Sequence, residues 1–244
     1  MSNHHHTGVW DPHGNISLFY RELHRLVSKH HNAQYGRFEN LWSSAPTGRL
    51  RLVGTEDILD KLVYSITNPV KDHLVVRARQ WPGINTTPEQ LCSSFVVERP
   101  KHYFRSDGKM PERLELRFEK PPGFEHLSVD AFRELLAARV EAVEAGAAAE
   151  RRRTGQRVLG RRIILKQHHE ESPATYAAHF KLNPQVASRD KWRRIEALAR
   201  LKEFVLEYRE ALRRWRAGER EVVFPFGTDL MRVMHGVRCR PCWS

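Results

Sequence analysis

Three histidines stand near the start of the chain, His4-His5-His6, and much later it reads Tyr64-Ser65-Ile66-Thr67-Asn68-Pro69. Two imidazoles, a phenol and an amide are the parts of a site that cuts a phosphodiester with a covalent tyrosine and a bound metal. In an extended segment residues i and i+2 point the same way, so His4 and His6 project together while His5 faces elsewhere. Two imidazoles on one face form half a site for a divalent cation. The same tract also reads as an unstructured tail or the remnant of a purification tag.

The segment that carries the tyrosine has a helical pattern. Thr55 suits an N-cap, and Glu56 and Asp57 fall in the first turn, where the helix dipole favours negative charge. Pro69 is expected to end the helix, because a residue before proline is pushed away from α geometry. At about 100° per residue, Ile58, Leu59, Leu62, Val63 and Ile66 fill one arc roughly 140° wide. Tyr64 and Asn68 lie within about 40° of each other on the opposite side, beside Lys61, so phenol and amide can address one object. That is not the place of a core tyrosine; an ordinary half-exposed one is the alternative. Lys61 reads as a solvated helix lysine or as a cation serving the phenol or a phosphate.

Composition narrows the partner. The 244 residues hold 41 Lys and Arg against 29 Asp and Glu, a net charge of +12 with a pI near 10.0. Such a chain attracts a polyanion, and nucleic acid comes first because phosphate neutralisation releases counterions. Three cysteines, Cys92, Cys239 and Cys242, argue against a disulfide-stapled secreted fold. No apolar run approaches the roughly 20 residues of a membrane span, and no signal peptide is evident. The expected compartment is the cytoplasm, with nucleoid association when DNA is bound, and no membrane partner.

The remaining elements must hold these groups in place. Asp11-Pro12-His13-Gly14 reads as a turn, and Ser17 as the cap of a helix through Leu18, Phe19, Leu23, Leu26 and Val27 to about Asn32. A loop over 36–42 follows, then a turn over 45–48 and a short strand-like run at 50–53. Trp81-Pro82-Gly83 closes this part. Phe95-Val96-Val97, His102-Tyr103-Phe104 and the alternating 114–118 look like strands, with a turn at 106–108. Ser128 caps a long helix through Val129, Phe132, Leu135, Leu136, Val140 and Val143. A second long helix spans about 190–217, with Trp192, Ile195, Leu198, Leu201, Phe204 and Val205 among many Arg and Lys.

Several other groups admit two readings. Arg151, Arg152, Arg153, Arg161, Arg162 and the pair at 193–194 could track a DNA backbone or form solvated helix faces. Tyr35, Phe38 and Trp42 could stack on unpaired bases or anchor their loop. Cys239 and Cys242, with His235 before them, have the spacing of half a zinc site, or belong to an ordinary C-terminal tail.

The order of motifs resembles a known family. Residues 1–6, then Gly36-Arg37 with Leu41-Trp42, then Tyr64 to Val70, then Trp81-Pro82 are similar in order and spacing to HUH single-tyrosine transposases, the REP-associated branch most of all. The resemblance covers roughly 1–84. It implies that His4 and His6 ligate Mg²⁺ or Mn²⁺, that Asn68 stands at the third, polar ligand position, and that Tyr64 is the nucleophile. It further implies cleavage and rejoining of single-stranded or hairpin DNA through a 5′-phosphotyrosine. Arg37, Trp42 and Lys61 are expected to contact that DNA. In the family a strand and a helix precede the HUH strand and an apolar residue fills its middle position. Here the chain starts on the motif and His5 occupies that position. The expected fold is α+β: an HUH-type, ferredoxin-like sheet lacking its first strand and helix over 1–84, a β-rich connection over 85–127, and a basic, mainly helical part over 128–244. Homodimer formation is left open.

Overall fold

The computed structural model describes residues 5–43, 47–100, 103–105, 107–168, 171 and 183–241. Expectations placed on His4, Ala45, His102, Ser106 and Cys242 lie outside the described residues. In chain order the elements are α1 (Ile16–Tyr35), β1 (Arg51–Leu52), α2 (Thr55–Lys71), a 3-10 turn (Ala78–Gln80), β2 (Ser94–Glu98), β3 (Arg113–Arg117), α3 (Val129–Thr154), α4 (Arg161–Ile164), β4 (Val186–Ala187), α5 (Lys191–Arg216), β5 (Val223–Phe224), α6 (Asp229–His235) and β6 (Arg238–Cys239). The chain is thus mixed helix and strand, compatible with the α+β class, and its strands form two-stranded ladders β1–β4, β2–β3 and β5–β6. It divides into two compact units, Met1–Gly8 with Gly54–Leu182, and Val9–Val53 with Asn183–Ser244. The expected boundaries at 84/85 and 127/128 both fall inside the first unit.

The first unit is built on α2 packed against α3. Leu59, Val63, Ile66 and Val70 on α2 are buried with Phe132, Leu136 and Val140 on α3, and Val75, Ala78, Leu91 and Phe124 complete the core. The spacing of these residues on each helix is what buries one stripe and leaves the other in water. Phe124 and Phe132 meet with ring centroids 4.9 Å apart. Ser128 caps α3 as expected, its Oγ accepting from the Ala131 N–H at 3.1 Å. At α2 the cap is Gly54 rather than Thr55: the Asp57 carboxylate reaches back to accept from the Gly54 N–H at 3.1 Å.

Pro69 does not end α2. The helix runs through it to Lys71, with Asp72 N–H donating to Asn68 O and Leu74 N–H donating to Pro69 O. Proline removes its own N–H, but one turn from a helix end little is lost. His73 then takes a left-handed backbone conformation, φ 54°, as the chain leaves the helix.

The hairpin β2–β3 pairs Phe95 with Leu116 and Val97 with Leu114 on one face, and Ser94 with Arg117 and Glu98 with Arg113 on the other. Tyr103 and Phe104, read from sequence as strand, form no ladder; their rings meet edge to face at 4.6 Å.

In the second unit α1 begins one residue before Ser17. The Asp11 carboxylate accepts from the N–H groups of Asn15 and Ile16, and Gly36 closes the far end in the left-handed region. Gly14, at φ 70°, is forced by packing as well as by backbone, since a Cβ there would stand 2.7 Å from Gly227 Cα. Arg51–Leu52 is a strand as expected, and its parallel partner is Val186–Ala187. Asp190 caps α5 through the N–H groups of Trp192 and Arg193. A small core of Ala211, Val222, Phe224 and Val237 holds α5 to the β5–β6 ladder. The amino-terminal half of α5 stays wet: Trp192, Ile195 and Leu198 are exposed despite their apolar character. Among the described residues no helix is long and apolar enough to cross a membrane.

Candidate active site

Tyr64 projects from the face of α2 that α3 does not cover. It is 38% exposed, while its neighbours Val63 and Ile66 are buried at 7% and 6%. Helical periodicity alone produces that contrast, because the apolar stripe fixes the opposite face in solvent. Asn68 follows one turn later on the same side.

His6 comes to this face from the far end of the sequence. Its Nε2 lies 2.9 Å from Asn68 Nδ2 across 62 positions of chain. Its ring stands edge to face with Tyr64, centroids 5.3 Å apart and planes at 74°. Phenol, imidazole and amide therefore share one patch. Asn68 Nδ2 donates to His6 Nε2 where that nitrogen carries no proton, the form in which an imidazole also binds a metal.

The pair suits a divalent cation. An octahedral ion holding its ligands at about 2.0–2.1 Å sets neighbouring donors about 3 Å apart. The 2.9 Å between the imidazole nitrogen and the amide meets that spacing. A half-turn of the isosteric amide would present Oδ1 instead of Nδ2. An imidazole nitrogen is a donor for first-row transition-metal ions, and an amide oxygen for Mn²⁺ and Mg²⁺. Among the described residues no group of three or more His, Cys, Asp or Glu gathers at one point, and His4 lies outside them.

Two ammonium groups complete the patch. Lys61 Nζ lies 5.4 Å and Lys71 Nζ 5.0 Å from the Tyr64 ring centroid. Lys61 was legible as a neighbour of Tyr64 on the helix. Lys71 was not, because a proline at 69 is expected to stop the helix before it. Carried on through the proline, α2 places Lys71 seven residues after Tyr64, within about 20° of it around the axis.

The other expected DNA-contacting residues are distributed elsewhere. Arg37 pairs with Glu39 at 3.0 Å in the second unit. Trp42, in the same unit, donates from Nε1 to the His24 carbonyl at 2.9 Å and lies against the His24 ring at 4.4 Å, so it anchors its loop to α1. Phe38 is 98% exposed. Arg151, Arg152 and Arg153 form the last turn of α3; Arg153 is paired with Glu150 at 2.6 Å, Arg152 is exposed, and Arg151 Nη1 is buried without a hydrogen-bond partner. Arg161 and Arg162 open the short α4, both exposed. Arg161 and Arg79 line a groove of about 580 Å³ over Val75, Val76 and Val158. Cys239 exchanges weak hydrogen bonds with Thr228 at the edge of the second core.

No protein-family model matches the chain, and neither does a curated protein or a solved structure. Its chemistry has to be argued from these residues.

Proposed function

We propose that this chain is a metal-dependent DNA strand transferase of the HUH single-tyrosine type, acting on single-stranded or hairpin DNA. The observation that carries the reading is the meeting of His6 with Tyr64 and Asn68, groups that the fold brings together from distant parts of the sequence. A metal ligand pair beside an exposed phenol is a poor structural device and a sensible catalytic one.

Tyr64 Oη attacks a phosphorus of the DNA backbone. The Oη–P bond forms as the P–O3′ bond breaks, leaving a 5′-phosphotyrosine and a free 3′ end. The phenolic proton is lost to solvent, and the departing 3′ oxygen takes one up. Phosphoester bonds are conserved, so attack by another 3′-hydroxyl reverses the step and joins strands without an energy source. His6 Nε2 and Asn68 Oδ1, with His4 as the resemblance implies, would hold Mg²⁺ or Mn²⁺, which when bound supplies Lewis-acid polarisation of the phosphate. The ring of His6 stands edge to face against Tyr64 and limits the phenol's rotation.

A second reading is a DNA-holding protein that does not cut. Helix α5 favours it: nine Lys and Arg against four Glu, with Trp192 exposed beside Arg193 and Arg194, form a surface suited to backbone and base contact.

The two readings separate on one gel. Purified protein, labelled hairpin DNA and Mn²⁺ are expected to give a band that survives denaturation and disappears with Tyr64→Phe. Binding without such a band favours the second reading.

A further inference from the structure

The geometry points to Lys61 and Lys71 as a two-armed phosphate clamp centred on Tyr64, a role that rests on the nucleic-acid reading above. Ten residues separate the two lysines, so their Cα atoms stand about 15 Å apart along α2. Yet both ammonium groups come within 5.4 and 5.0 Å of one ring centroid. Lys71 must therefore lean toward the helix N-terminus, so that both ammonium groups converge on the phenol ring. By those distances the two Nζ atoms are no more than about 10 Å apart, given that each sits on a flexible four-carbon stem.

Two ammonium groups that close repel each other, and that cost is recovered when a polyanion lies between them. Glu56 and Asp57 on the same helix do not neutralise them; the acids next to the lysines in the chain are Asp60, beside Lys61, and Asp72, beside Lys71. Glu56 is paired with Arg139, and Asp57 is buried at the amino-terminal cap against Gly54. Cation–π packing of lysine on an exposed ring is weak. Convergence with the His6–Asn68 pair on the same face argues for a ligand, since a phosphodiester approaching the Tyr64 ring comes within reach of both cations. The clamp would hold the reacting phosphate, or that phosphate and its neighbour, by charge alone, with no reading of base sequence. Lys71 acts here as a positioning residue.

The test uses full-length Tyr64→Phe protein, so that no strand is cut, and a single-stranded oligonucleotide of mixed sequence. Binding is measured across a range of salt concentrations. Each phosphate contact on single-stranded nucleic acid contributes about 0.7 to the slope of log K against log salt. K61Q and K71Q should each lower that slope by about 0.7 and the double variant by about 1.4, whereas the Arg substitutions restore it. Either single variant serves if the double one does not fold. An unchanged slope in the Gln variants, or no measurable binding by the Tyr64→Phe parent, overturns the clamp. Because this assay needs no covalent step, a failed adduct gel with a reduced slope leaves the clamp standing without the transferase. An adduct with an unchanged slope does the reverse.

Discussion

His6 Nε2 and Asn68 Nδ2 stand 2.9 Å apart, joining the start of the chain to the last turn of α2. That single contact turns two separate sequence motifs into one site. It predicts that His6→Ala and Asn68→Ala weaken Mn²⁺ binding in parallel. Loss of a residue that merely orients a metal ligand costs about 10–100-fold in affinity, so loss of a ligand should cost at least that. Titration calorimetry with Mn²⁺ checks it; equal affinity in the parent and both variants would separate the contact from metal binding.

The face of α2 opposite Tyr64 depends on α3. Phe132 is fully buried against Phe124, so Phe132→Ala should cost about 3–5 kcal/mol in urea unfolding. A loss below about 1 kcal/mol would mean that α2 is held by something other than this core.

His73 holds a left-handed backbone conformation that glycine adopts freely, and its Nδ1 is buried without a hydrogen-bond partner. His73→Gly should therefore stabilise the protein by roughly 1 kcal/mol despite the entropy glycine adds to the unfolded chain. Thermal unfolding at neutral pH should show a higher midpoint; a lower one would show that the imidazole packs productively.

Asp190 gives the stability of α5 a pH dependence. Hydrogen bonds from the backbone N–H of Arg193 and then Trp192 hold its carboxyl below the usual aspartate range. A depressed folded-state pKa stabilises fully above the unfolded value of about 3.9, and the benefit is lost as pH falls through the folded value. The melting-point deficit of Asp190→Ala should thus be largest near neutral pH and shrink in acid. A deficit that stays constant from neutral pH into acid would mean that the carboxylate charge is not what caps the helix.

The helix faces were legible in the sequence because periodicity is a local property. The buried stripe of α2, the exposed Tyr64 with Asn68 one turn on, the Ser128 cap and the Asp190 to Ala217 helix all follow from spacings within a few turns. Lys71 is hidden in the sequence because proline usually stops a helix, whereas α2 passes through Pro69 one turn from its end. The pairing of Arg51 with Val186 was not legible, because two-residue strands so far apart carry too little pattern to name each other. Nor could the sequence tell Trp42 as a base-stacking platform from Trp42 as an anchor; only the His24 carbonyl on its indole nitrogen distinguishes them. Charge on α5 was evident, but the exposure of Trp192 and Ile195 depends on what does not pack there.

The central claim is that Tyr64 becomes joined to DNA. Protein incubated with Mn²⁺ and a hairpin oligonucleotide, digested with nuclease and protease, should yield a peptide carrying a nucleotide phosphate on Tyr64 by tandem mass spectrometry. Tyr64→Phe protein should yield none. Unmodified Tyr64 in protein that demonstrably binds both the metal and the hairpin would contradict the account.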